Sequence, residues 1–218
     1  MLKKIAAFFM FFVHMESSNA HIQNNFQAPT SSLLVISCSL NPESRGAIIA
    51  KYVYNFIKSQ GYKIEILDLR NYNLPMANGH DQSAYQDSQV KEIHDKIIHA
   101  KGIILISPIY NYGVGATGKN LVELTGHPYK NILSGKAWEN KILGFIGVSG
   151  SPTSMMAPFA FLNGMMLDFK TLIIPSLVIA SAADFNEKNQ FSKEIQARFK
   201  DLAKDVIRFT KNLPSSEK

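Results

Sequence analysis

The 218 residues contain one cysteine, Cys38, so neither an intramolecular disulfide nor a multi-cysteine metal site can form. The six histidines are scattered, with no HExxH and no close His/Asp/Glu cluster, which argues against structural or catalytic zinc. There is no GxxxxGK[ST] and no GxGxxG, which weakens ATPase, GTPase and Rossmann dehydrogenase readings. No Ser/His/Asp set suggests itself, and no metal ligand or general base is assigned. No apolar run approaches the ~20 residues of a membrane-spanning helix. Charged residues are only 18% and hydrophobic residues 46%, so the chain buries a core, and wholesale disorder is excluded. The net charge of +6 favours anionic partners. Along the sequence the lysines are dispersed rather than clustered with aromatics, so nucleic acid is not expected as a partner.

Three segments follow from composition. Residues 1–20 combine basic Lys3 and Lys4, an apolar run from Ile5 to Val13, and small Ser18 and Ala20. Four readings fit: a leader cleaved after Ala20, a membrane-proximal anchor, an ordinary buried helix, or a start set too far upstream. The first implies an exported protein and the last a cytoplasmic one. Residues 21–31 are a polar lead-in. Residues 32–212 form a single domain.

That domain alternates apolar runs with helical periodicity. Strands are expected at 33–37, 63–69, 102–108, 141–149 and 171–180, with Pro175 at a bend or edge of the last. Helices are expected from the stripes Ile48–Ile57, Val90–Ile98, Ala116–Thr125 and Phe191–Phe209, with a further one over 153–168 interrupted by Pro158 and Gly164. His94 and His99 on the second helix are expected to face solvent. Strict alternation demands parallel strands joined by crossover helices. The expected fold is a three-layer α/β/α sandwich, flavodoxin-like, with a five-stranded parallel sheet ordered 2-1-3-4-5.

In such a sheet, ligands bind beyond the carboxyl ends of the strands. The first loop there is SCSLNPESRG. It offers hydroxyls at Ser37, Ser39 and Ser44, the Arg45 guanidinium, and backbone amides from Gly46 at a helix start. Those groups suit a phosphate, while a plain helix cap at Ser44 is the simpler alternative. The second loop, SPIYNYGVGATGKN, brings Pro108, Ile109, Tyr110, Asn111, Tyr112 and Gly113, a stretch whose backbone can approach a flat ligand. The third is GVSGSPTSMM, with Ser149 and Gly150. Cys38 beside the first loop is either a thiol activated by the helix start or a small packed residue.

These residues resemble the NAD(P)H-dependent FMN reductases. The resemblance rests on P-x-Y-N at Pro108, Tyr110 and Asn111, on Lys119-Asn120 at the head of the next helix, and on the serine-rich first loop. It departs in Gly115–Gly118, where the family often has proline and a bulky apolar residue, and in a third loop lacking the second glycine cluster. The resemblance implies bound FMN, with Ser37, Ser39, Ser44, Arg45, Gly46, Pro108, Ile109, Tyr110, Asn111, Tyr112, Gly113, Ser149 and Gly150 holding it. It implies NADPH or NADH stacking on the exposed flavin face and passing a hydride to N5. The electrons then go to a second acceptor such as free flavin or a quinone. A homodimer or homotetramer is also implied. The alternative is a non-catalytic flavodoxin-like electron carrier, which the basic charge disfavours because short-chain carriers are usually acidic.

Overall fold

The computed structural model describes residues 32–80, 82–126 and 136–213. The readings of residues 1–31 fall outside them. Strand β1 (Ser32–Ser37) leads into helix α1 (Arg45–Ser59), then strand β2 (Ile64–Asp68). After a 3-10 turn at Leu69–Asn71 come α2 (Ser83–Gln86), α3 (Ser88–His99) and β3 (Ala100–Tyr110). A short β4 (Gly113–Val114) precedes α4 (Ala116–Thr125), and β5 (Ile142–Val148) follows. The chain continues through α5 (Phe159–Phe169), β6 (Leu172–Ile173), β7 (Val178–Ala180) and α6 (Lys193–Asn212).

The sheet runs β2-β1-β3-β5-β6, all parallel, with β7 also pairing β5. The two fragments β6 and β7 occupy the fifth position, so the expected 2-1-3-4-5 order stands. Pro175, which has no N–H to give a ladder, lies in the gap between them. The segment expected as one helix over 153–168 is a 3-10 turn (Pro152–Met156) and then α5, divided at Ala157–Pro158.

The central strand β3 is buried on both faces because side chains alternate sides. Ile103 and Leu105 join one core with Leu34, Ile36, Leu143 and Phe145, beneath α3, α4 and α5. Ile104 and Ile106 join the other with Leu33, Val35 and Ile146, beneath α1 and α6. Helix α6 lies close to the strands because Gly102 and Gly144 present no side chain: an added Cβ would stand 3.1 Å from Val206 Cγ1 at the first and 2.8 Å from Val206 Cγ2 at the second.

One side-chain expectation is overturned. His99 is exposed, but His94 is buried, 1% accessible, with Nδ1 3.1 Å from the Thr125 carbonyl oxygen. Its spacing of four from Val90 and three from Ile97 places it on the apolar face of α3.

Lys141, just before β5, donates from Nζ to the Ile98 carbonyl at 2.7 Å. Burial, with the charge of Lys101 adding, pulls its pKa down to about 8. An unfolded lysine titrates near 10.4, so between about pH 8 and that value the unfolded chain holds more protons and stability rises with pH. Below pH 8 the penalty is fully present. The full shift is worth about 3 kcal/mol, which solvent around the half-buried head reduces to about 2 kcal/mol. The stability difference between Lys141→Met and the parent, from urea unfolding, should therefore move by about 2 kcal/mol in the parent's favour across that window.

Candidate functional site

Parallel register brings four loops to one edge. Ser37 pairs with Ile106, Pro108 with Val148, and Val148 with Ala180, so the chain leaves β1, β3, β5 and β7 at neighbouring points. Two backbone bonds extend that register into the loops, Cys38 N–H to Ile106 O at 2.9 Å and Ser149 N–H to Ala180 O at 2.8 Å.

The first loop winds tightly into α1. Asn41 Oδ1 accepts from Glu43 N at 2.9 Å, and Ser39 Oγ accepts from Asn41 N at 3.3 Å. Ser44 Oγ caps α1 by accepting from Ala47 N at 3.1 Å. Ser39 and Ser44 thus use lone pairs within the loop, and each O–H remains a potential donor. Ser37 Oγ is buried and makes no hydrogen bond among the described residues. A Cβ on Gly46 would stand 3.3 Å from Ser44 Oγ and 3.9 Å from Ser37 Oγ, so the missing side chain leaves a cradle edged by hydroxyls. The helix start contributes its positive end.

Arg45 extends from that start across to the loop after β7. Its guanidinium carbon stands 4.7 Å from the Phe185 ring centroid, and Nε donates to Asn189 Oδ1 at 3.3 Å. Among the described residues it pairs with no carboxylate. Arg70 braces the same loop from the other side: an ion pair with Asp68 at 2.6 Å fixes it, and Nη1 donates to the Pro42 carbonyl at 2.9 Å.

The second loop is a two-residue hairpin. Ile109 pairs with Val114 and Tyr110 with Gly113 in antiparallel sense, and the turn residues Asn111 and Tyr112 have φ of 49° and 57°. Positive φ at both turn positions is the type I′ geometry, whose twist matches that of the flanking strands. For an aromatic residue that conformation costs on the order of 1–2 kcal/mol. Such strain tends to concentrate at functional sites. Pro108 and Ile109 are buried, whereas Tyr110 and Tyr112 are 61% and 72% exposed. Gly115, where the chain departs from the pattern it resembles, sits against Pro108: an added Cβ would meet Pro108 Cγ at 2.8 Å. Thr117 Oγ1, in the first turn of α4, donates to the Cys38 carbonyl and ties the first two loops together. Asn120 accepts from Ala77 N at 2.8 Å and donates to Pro75 O at 2.9 Å, clamping the loop after β2, while Lys119 pairs with Glu123.

In the third loop, Ser149 Oγ bonds Ser154 Oγ at 2.7 Å and accepts from Ser151 N at 3.2 Å. Gly150 is exposed, with open space where a Cβ would stand.

The structure thus gathers Ser37, Ser39, Ser44, Arg45 and Gly46, the hairpin Pro108–Gly113, and Ser149–Gly150 along one edge. It adds Arg70, Thr117, Phe185 and Asn189, which the motifs do not mark. The last two lie in a loop after the final strand, where the strand-end rule alone would have drawn attention.

Cys38 is fully buried. Burial pushes its thiol far above the ordinary range, and the Asp68 carboxylate adds to the shift. The packed reading therefore holds over the activated one. Folded protein at pH 8 should react with a thiol reagent at under about 1% of the rate seen after unfolding. A colorimetric thiol assay with and without denaturant measures this.

The described hydroxyls, guanidinium and helix start match the chemistry of a phosphate monoester, and the hairpin offers backbone edges to a flat ring, so the site fits a mononucleotide. Comparison with known proteins points the same way. The family model described as NADPH-dependent FMN reductase matches residues 31–185. A protein of Geobacillus thermodenitrificans (strain NG80-2) named NAD(P)H-dependent FAD/FMN reductase is 27% identical over 153 residues, 70% of this chain and 78% of its own. Among solved structures, a flavoenzyme NAD(P)H:(acceptor) oxidoreductase from Paracoccus denitrificans superposes with a TM-score of 0.63 at 20% identity, covering 82% of this chain and 98% of that one. The apo form of the NADH:FMN oxidoreductase EMOB gives 0.63 at 19% identity, covering 86% and 92%. At these identities the two structures speak to the fold alone.

Proposed function

Because the chain belongs to the NADPH-dependent FMN reductase family, we propose that it takes a hydride from NADH or NADPH and passes the electrons to a small acceptor, free flavin or a quinone. The FMN cofactor, when bound, supplies the two-electron redox chemistry. The chain's own residues bind and orient. In this reading Arg45 and the Ser39 and Ser44 hydroxyls take the phosphate, Ser37 edges its cradle, and Gly46 leaves room for it. The backbone of Pro108–Gly113 lies along the ring, with Asn111 at its edge and Ser149–Gly150 closing the other side. Exposed Tyr110 and Tyr112 leave the outer side approachable by a nicotinamide. Hydride delivery requires no general base.

The observation that carries this reading is the cradle itself: an arginine without a carboxylate partner among the described residues, beside a buried unpartnered hydroxyl and a glycine at a helix start. The test is spectroscopic. Purified protein given FMN should acquire flavin absorbance that bleaches when NADH or NADPH is added without oxygen and returns when a quinone follows. Flavin that binds but ignores both nucleotides, yet accepts electrons from a partner reductase, would make the chain a carrier. Protein that gains no flavin would end the proposal.

The same reading includes a homodimer. Met165 is core, but Met155, Met156, Met166 and Leu167 are exposed, Leu167 to 85%. The turn Pro152–Met156 and helix α5 thus carry large apolar side chains on the solvent side, which is the pattern of a surface awaiting cover. A cavity of about 450 Å³ between α4 and α5, lined by Val122, Phe161 and Met165, opens beside Tyr112. Light scattering should return about twice the chain mass, and Leu167→Glu should return the monomer.

A further inference from the structure

The lysines that are dispersed in sequence are gathered by the fold. The ladders pair Leu33 with Ile64 and Gly102, Gly102 with Ile142, and Ile142 with Leu172. The residues at or just before that row include Lys63, Lys101, Lys141 and Lys170. All stand at the amino ends of the strands, the edge opposite the flavin loops. Helix α6 runs against the strands and ends there too, since Val206 packs on Gly102. Its last turns bring Lys204, Arg208 and Lys211 around a cavity of about 390 Å³ that Tyr62 also lines. Lys211 Nζ lies 4.9 Å from the Tyr62 ring centroid. The carboxylates at this edge include Glu65, one residue past Ile64, and Glu139, Asp168, Asp201 and Asp205; Glu65 pairs with Lys96 near the end of α3, and Asp201 and Asp205 pair with Lys204 and Arg208. At the carboxyl edge the cations Arg45, Arg70, Lys119, Lys188 and Lys193 stand among Glu43, Asp68, Glu123, Asp184, Glu187 and Glu194. Among these described residues cations outnumber carboxylates at the amino edge and do not at the carboxyl edge.

Residues 1–31 join the domain at this same edge, because Ser32 begins β1. They carry Lys3 and Lys4 and the apolar run Ile5–Val13. We propose that the lysine-ringed amino edge is a docking surface for anionic lipid membranes, with the Ile5–Val13 run as the apolar anchor. A cationic face next to a short apolar anchor is the two-signal arrangement that gives stable attachment where one signal alone is marginal. Residues 14–31 span at most about 60 Å, enough for the run to enter the bilayer while the edge lies on the headgroups. The flavin loops then point away from the lipid.

The test is sedimentation of the full chain with vesicles of phosphatidylcholine, alone or with about a third phosphatidylglycerol. Each lysine near an anionic surface is worth roughly a fivefold change in partition. Lys63→Gln/Lys170→Gln/Lys211→Gln should thus weaken binding to the anionic vesicles by roughly a hundredfold while FMN titration, read at the far edge, stays unchanged. Phe9→Asp/Phe12→Asp should remove binding to the neutral vesicles. Four results overturn the proposal: equal affinity for both vesicle types, a triple variant that sediments like the parent, single-stranded RNA bound in preference to lipid, or a mature cellular chain that begins at His21.

Discussion

Arg45→Met should raise the dissociation constant for FMN about a hundredfold, close to 3 kcal/mol, and leave that for riboflavin almost unchanged. The two ligands differ by the phosphate, so their ratio isolates what the guanidinium does. Arg45 sits at the first turn of α1, beside a serine cap and the Gly46 cradle, with no carboxylate among the described residues to neutralise it. A guanidinium can hold two phosphate oxygens at once, and such charge-assisted pairs are the strong ones. Arg45→Lys keeps the charge without the fork and should recover part of the loss. The fold should tolerate both changes. In the free protein the side chain contributes a 3.3 Å bond to Asn189 and its place over Phe185, both partly open to water, together worth about 1 kcal/mol or less. Fluorescence titration with the two flavins reads the ratio, and thermal unfolding reads the fold. Equal weakening of FMN and riboflavin, or of neither, would remove Arg45 from the phosphate site.

That prediction could be framed from sequence because the strand-end rule singles out the loop before any contact is known. The sheet was legible for a similar reason: Ile103–Ile106 is apolar at every position, which only a strand covered on both sides tolerates. Side-chain partners were not legible. Arg45 and Asn189 lie 144 residues apart, and Thr117 and Cys38 lie 79 apart, and nothing local announces either meeting. Pro175 signalled a bend but not that the strand would resume as β7. His94 was misplaced because a histidine in an apolar stripe looks like an interruption until the Thr125 carbonyl opposite is seen. Cys38 shows the limit from the other side. Proximity to a helix start leaves an activated thiol and a small packed residue both open, and depth of burial decides for the packed residue.

The largest loss of stability should come from Trp138→Ala, about 4 kcal/mol by urea unfolding. Trp138 is fully buried against the core beneath α3, α4 and α5. Its Nε1 donates to Thr125 Oγ1 at 2.9 Å, and that hydroxyl donates onward to Leu121 O at 2.7 Å. The Trp138 carbonyl accepts from Thr171 Oγ1 at 3.1 Å, and the Thr125 carbonyl lies 3.1 Å from His94 Nδ1. The ring therefore holds the end of α4, where the Thr125 carbonyl meets the face of α3, and the Trp138 backbone meets the approach to β6. Trp138→Phe keeps most of the apolar volume and gives up the indole hydrogen bond, so it should cost about 1–2 kcal/mol. Thr125→Val, in contrast, leaves the indole N–H buried without an acceptor and should cost about 2 kcal/mol. Combining Trp138→Phe with Thr125→Val removes both partners, so the double variant should lose less than the two singles together. Helix α4 also starts just after Gly115, which lies against Pro108 of the hairpin, and carries Thr117, bonded to Cys38 of the first loop. Loosening its far end should then weaken FMN and riboflavin alike, leaving intact the ratio that Arg45→Met collapses. Strict additivity in the cycle would mean that the indole and the hydroxyl act independently, and the stability of this face would then rest on apolar packing alone.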